Sequence, residues 1–82
     1  MQLGGGWRMV EEHHLEKVFE FDDFRQGLDF TVALGELAEE EGHHPDILLT
    51  YGRVTVSIWT HKINGLSESD FILAAKADRL LA

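Results

Sequence analysis

Apolar positions recur at two different periods along the chain, and the switches between them outline the elements. Trp7–Glu12 forms a short strand candidate, and His13-His14 a turn. Leu15, Phe19 and Phe21 then alternate along a second strand over Leu15–Phe21. Lys17 interrupts the apolar face of that strand, where its stem can lie along apolar surface while its charge reaches water. Asp22-Asp23 stands before a change to helical spacing, and an aspartate there can cap a helix start. Phe24, Leu28, Phe30, Leu34, Leu37 and Ala38 give a broad apolar sector, which predicts a helix over Asp23–Glu41. Gly42 suits the position after its end, and Pro45 prevents continuation.

Alternation returns in Ile47–Tyr51 and in Val54–His61, joined by Gly52-Arg53. In the second run Val54, Val56 and Ile58 share one face, with Thr55, Ser57, Trp59 and His61 on the other. Asn64-Gly65 marks a turn. Ser67-x-x-Asp70 fits a capping box that opens a last helix over Glu68–Leu81. The order β-β-α-β-β-α predicts an α+β two-layer sandwich with a four-stranded antiparallel sheet and helices on one face. Met1–Gly6 reads as a loose tail, and residues 7–82 as a single domain. Within the first helix Gly27, Thr31, Gly35 and Ala38 form a stripe of small residues. This is read first as helix-on-sheet packing, with a helix–helix contact between subunits as the alternative.

Composition narrows the function classes. The 82 residues carry 15 acidic and 7 basic side chains, a formal charge of −8. A nucleic-acid binder needs a basic footprint, and so does a protein docked on an anionic membrane, so neither is expected. The chain has no cysteine, hence no disulfide, thiolate metal site or cysteine nucleophile. No long apolar run or leader pattern is seen, so a cytoplasmic location is the default. The acidic excess is uneven. Residues 1–46 hold twelve acidic and three basic side chains; residues 47–82 hold three and four. Glu39, Glu40 and Glu41 stand just before His43, where anions favour imidazolium, although a solvated helix face accounts for most such charges.

Candidate chemistry rests on five histidines. His13-His14 reads as a solvated turn. His43-His44-Pro45 lies where a helix ends, and His61 lies at the end of the clearest strand. A hairpin turning at Gly52-Arg53 brings His61 to the same end as Asp46, beside His44. Three imidazoles converging there suit acid–base chemistry at neutral pH, a metal site, or structural hydrogen bonding. Against a metal, adjacent side chains such as His43 and His44 diverge. No glycine-rich elbow presents a serine, and no phosphate loop is present.

The run Glu39-x3-His43-His44-Pro45-x5-Tyr51-x9-His61-x8-Asp70 resembles the pterin-4a-carbinolamine dehydratases. Trp7, Phe19-x-Phe21-x-x-Phe24 and Gly65-Leu66-Ser67-x-x-Asp70-x-x-Leu73-Ala74 agree, so the resemblance covers nearly everything from Trp7 onward. It implies removal of water from a 4a-hydroxytetrahydropterin to give a quinonoid dihydropterin, in tetrahydrobiopterin recycling, without metal or organic cofactor. It implies His43, His44 and His61 as the catalytic set. His43 and His61 would move protons, His44 would help hold the pterin, and Thr60 would line its pocket. Asp70 would cap the last helix or orient its neighbours. A homodimer or homotetramer is implied, and the small size independently favours self-association, since chains this short bury only roughly 60–65% of their unfolded surface. The family's opening helix has no counterpart in the six residues before Trp7. Trp59 and Lys62 flank Thr60-His61 where the family more often has a small residue and an acid. A non-catalytic interaction module on the same fold is the alternative from another class.

Overall fold

The computed structural model describes residues 4–81. Two hairpins and two helices follow one another. These are β1 (Arg8–Val10), β2 (His14–Glu20), α1 (Phe24–Glu41), β3 (Asp46–Thr50), β4 (Arg53–Ile58) and α2 (Glu68–Arg79), with 3-10 turns at Gly4–Gly6 and His61–Ile63. The strands form one antiparallel sheet in the order β1-β2-β4-β3. Of the expected tail, Met1–Leu3 lie outside the described residues, and Gly4–Gly6 turn into a buried Trp7.

Alternation decides which face is covered. Leu15 and Phe19 of β2 and Val54, Val56 and Ile58 of β4 point to the same side and are almost fully buried. Phe30 and Leu34 of α1 and Leu73, Ala74 and Ala77 of α2 meet them. The opposite sheet face is partly open, with Val18 and Leu48 exposed. Gly27 is where α1 comes nearest the sheet. A Cβ there would lie 3.0 Å from Leu49 Cδ1 and 3.5 Å from Val54 Cγ2, whereas a Cβ on Gly35 would meet nothing within 4 Å. The small-residue stripe is thus helix-on-sheet packing at Gly27, and Gly35 takes no part in it.

Most element ends lie one to three residues from expectation. The first turn uses Glu11, Glu12 and His13 rather than His13-His14. Glu11 and Glu12 adopt left-handed backbone (φ 51° and 54°), the His13 amide donates to Val10 O at 2.9 Å, and His14 pairs with Val10 as the first residue of β2. Non-glycine residues in that region cost about 1 kcal/mol each. The strand expected to reach His61 ends at Ile58. Thr60 instead exchanges backbone hydrogen bonds with Gly65, at 2.8 and 3.3 Å, and His61 opens the enclosed 3-10 turn. Last, α2 ends at Arg79, two residues before the expected Leu81.

Lys17, the charge on the core face of β2, is explained by a partner. Its Nζ lies 2.8 Å from Asp78 Oδ1 and 4.6 Å from the centre of the Phe19 ring. The Trp7 indole N–H donates to the same carboxylate at 3.1–3.2 Å. This polar group ties the start of β1, the middle of β2 and the last turn of α2 together.

Candidate active site

The end of α1 and the start of α2 meet beyond the Asp46–Ser57 end of the β3–β4 hairpin. The α1 terminus sets the first histidine. Gly42 is left-handed (φ 64°), and the His43 amide reaches back to Ala38 O at 3.1 Å. This is the glycine-ended closure that satisfies orphan carbonyls, and it fixes where His43 leaves the helix. Pro45 then leads into β3.

Asp70 is the centre of the site. It sits at the third position of α2 and is completely buried. Its Oδ2 accepts from the Ser67 amide at 2.7 Å and from the Thr60 hydroxyl at 2.8 Å. Its Oδ1 lies 2.5 Å from His43 Nε2, with the imidazole itself mostly covered. Ser67 Oγ lies 2.7 Å from Thr60 Oγ1 and 2.9 Å from Ser69 Oγ, so a chain of hydroxyls runs into the same carboxylate. A carboxylate is well placed in the first turn of a helix, where backbone N–H groups and the dipole favour negative charge.

Chemical roles follow from donor and acceptor types. A carboxylate accepts, so His43 carries hydrogen on Nε2 and leaves Nδ1 as the nitrogen that can exchange a proton. Fixing an imidazole's tautomer and orientation through a buried carboxylate is the arrangement that readies histidine for proton transfer. His44 follows the same rule in the open. Its Nε2 lies 2.5 Å from Glu39 Oε2, with both side chains more than half exposed. Of the acidic run before the histidines, Glu39 thus serves His44 and Glu41 pairs with Lys76 at 2.9 Å.

The expected site residues divide into three placements. His43 and Thr60 come together on Asp70. His44 stands beside them in sequence, paired with Glu39. His61 follows Thr60 on the exposed turn, with its ring 4.6 Å from the Trp59 ring. His13 and His14, read from sequence as a solvated turn, are half-buried instead and pack on Trp59. The signal for this was strand register: Leu15 pairs with Ile58, which sets His14 next to Trp59. Among the described residues no group of three or more His, Asp or Glu is arranged to hold a metal ion, and no helix is long and apolar enough to cross a membrane.

A concavity of about 430 Å³ lies elsewhere, lined by Phe21, Gln26, Asp29, Phe30, Ala33, Leu80 and Leu81. It contains no histidine, so the titratable groups suited to neutral-pH proton transfer are not in it.

A two-layer α+β sandwich of order β-β-α-β-β-α, with an imidazole held on a buried carboxylate beyond the end of α1, is a domain of the pterin dehydratase type. The family model described as pterin 4 alpha carbinolamine dehydratase matches residues 1–80, and the chain belongs to that family. A protein of Alkaliphilus metalliredigens that bears the family's name is 53% identical over 78 residues, covering 95% of this chain and 70% of that one. One from Rubrobacter xylanophilus is 57% identical over 75 residues, covering 92% and 70%. Among solved structures, a transcriptional coactivator/pterin dehydratase from Brucella melitensis superposes with a TM-score of 0.88 at 32% identity, covering 95% of this chain and 84% of that one. A pterin dehydratase-like protein identified as a RuBisCO assembly factor in the alpha-carboxysome superposes with a TM-score of 0.79 at 29% identity, covering 94% and 90%.

Proposed function

We propose that this protein is a hydro-lyase that removes water from a 4a-hydroxytetrahydropterin by histidine acid–base chemistry. The observation that carries the reading is the convergence of His43 and Thr60 on the buried Asp70, within a chain of this family. The reaction requires one proton for the departing C4a hydroxyl, which leaves as water, and the loss of one proton from a ring nitrogen. The C4a–O bond breaks, a carbon–nitrogen double bond forms, and no net proton is consumed. His43 and His61 carry the two transfers, one as acid and one as base, and each such group is worth about 10²–10⁴-fold. His44 holds the pterin, and Thr60 lines its pocket while keeping Asp70 in place. No metal or organic cofactor takes part. The product, a quinonoid dihydropterin, belongs to tetrahydrobiopterin recycling, and the assembly is a cytoplasmic homodimer or homotetramer.

The test supplies the carbinolamine in situ and follows its dehydration spectroscopically. The wild-type protein should exceed the His43→Ala/His61→Ala double variant by at least about 10²-fold. Equal rates would defeat the reading.

A second reading has a specific observation behind it: the likeness to the assembly factor named above. On it, the domain binds another protein and its histidines are structural. A stoichiometric partner, together with a wild-type rate no faster than buffer, would favour it.

A further inference from the structure

We propose that the tip of the β1–β2 hairpin is a positioning device for His61, with Trp59 as the residue through which it acts. This deepens the reading above, because it rests on His61 being a proton carrier.

His61 is exposed and sits on a short turn. The ring against it belongs to Trp59, two residues earlier, and Trp59 is in turn packed from another loop. The Trp59 ring lies 4.6 Å from the His61 ring on one side of the chain, and 5.3 Å and 6.0 Å from the rings of His13 and His14. The four rings form one aromatic group whose two ends belong to different loops. A hydrogen bond joins the same loops directly, since His13 Nε2 lies 2.9 Å from Asn64 Oδ1. Asn64 is also the left-handed residue (φ 51°) whose amide closes the turn onto His61 O at 3.1 Å. The hairpin therefore grips the residue that shapes the turn and the ring that touches His61.

Hydrogen positions around this grip are mutually consistent. The Asn64 oxygen accepts, so His13 carries hydrogen on Nε2. His13 Nδ1 lies 3.1 Å from His14 Nδ1, so one of these two nitrogens donates and the other accepts. Glu11 and Glu12, both left-handed, form the turn that precedes His13.

Placement of a proton carrier is a kcat matter, because a shift of about 1 Å away from the reacting atoms can cost on the order of 10²-fold. The experiment uses the full chain and four variants: Trp59→Ala, Trp59→Phe, His13→Ala and Asn64→Gly. The last keeps the left-handed backbone and removes only the side-chain acceptor. Dehydration kinetics should show kcat lowered at least about tenfold in Trp59→Ala, with KM changed less than about threefold, and Trp59→Phe restoring most of the loss. Asn64→Gly and His13→Ala should lower kcat by a smaller factor in the same direction. A loss confined to KM would make Trp59 a substrate contact and overturn the proposal, as would unchanged kcat.

An arm without substrate separates this proposal from the enzymatic reading. In wild-type protein the His61 ring protons should resonate at shifted positions because of the Trp59 ring current. Trp59→Ala should return them to free-histidine positions, and Asn64→Gly should move them part of the way. Unshifted wild-type resonances would overturn the brace even in an active enzyme. Shifted ones in a protein that does not dehydrate pterins would uphold the brace and reject the enzymatic reading alone.

Discussion

Two aspartates on α2, two turns apart, do different work with the same carboxylate. Asp78 lies in the last turn and meets a lysine and an indole N–H. Both partners are permanent donors near neutral pH, so the contact is a fixed tie across β1, β2 and α2. Asp70 lies in the first turn and meets a backbone amide, a hydroxyl and an imidazole. One of its donors can exchange its other proton with a bound molecule, which makes the group a candidate for chemistry. Burial sharpens the contrast: the Asp78 side chain is about one-third exposed, and Asp70 is closed from solvent. A carboxylate's partners, more than its location on a helix, decide whether it is a brace or part of a site.

The contrast is broken most severely by Asp70→Ala. It leaves the Ser67 amide, the Thr60 hydroxyl and His43 Nε2 without their common acceptor, and removing one member of a buried charge-assisted cluster costs about 3–5 kcal/mol. For a domain of this size that is a fall in Tm of at least about 12 °C in a thermal melt. Asp70→Asn separates folding from chemistry. The amide oxygen can still accept from Ser67 and Thr60, but an amide NH2 facing His43 makes Nε2 an acceptor and moves hydrogen to Nδ1. The dehydration rate should fall about 10²-fold or more while the melt shifts by much less. By contrast, Asp78→Ala should cost about 1–2 kcal/mol, read from chemical denaturation, and leave the rate per folded molecule within about twofold. The smallest effect belongs to Glu39→Gln. Its pair with His44 is exposed, so stability should change by less than about 0.5 kcal/mol, and any kinetic change should appear in KM.

Part of the Asp70 site is legible in the residues. Local spacing marks Gly42-His43 at a helix end and Ser67-x-x-Asp70 at a helix start, but the hairpin register brings His61 towards His44 and says nothing of Asp70 meeting His43, a contact between residues 27 apart. The Lys17 tie was not legible: a lysine on an apolar face reads as a stem with its charge in water, and Asp78 is 61 residues away. The hairpin tip was the least legible. Nothing in Glu11-Glu12 signals a left-handed turn, which usually takes Asn-Gly, so the pattern puts the turn two residues late and leaves His13 in solvent. The end of β4 failed for a related reason. Alternation continues through His61, but the backbone exchange between Thr60 and Gly65 captures the chain first. Pattern reports side-chain faces, whereas loop closure is decided by long-range backbone partners.

The central claim is that an imidazole held by Asp70 performs acid–base chemistry on a hydroxylated pterin. The most direct measurement is the dehydration rate of 4a-hydroxytetrahydropterin with wild-type protein, with His43→Gln at equal folded concentration, and in buffer alone. Wild type should be faster than His43→Gln by about 10²-fold or more. A His43→Gln rate equal to that of wild type, or a wild-type rate equal to that of buffer, would contradict it.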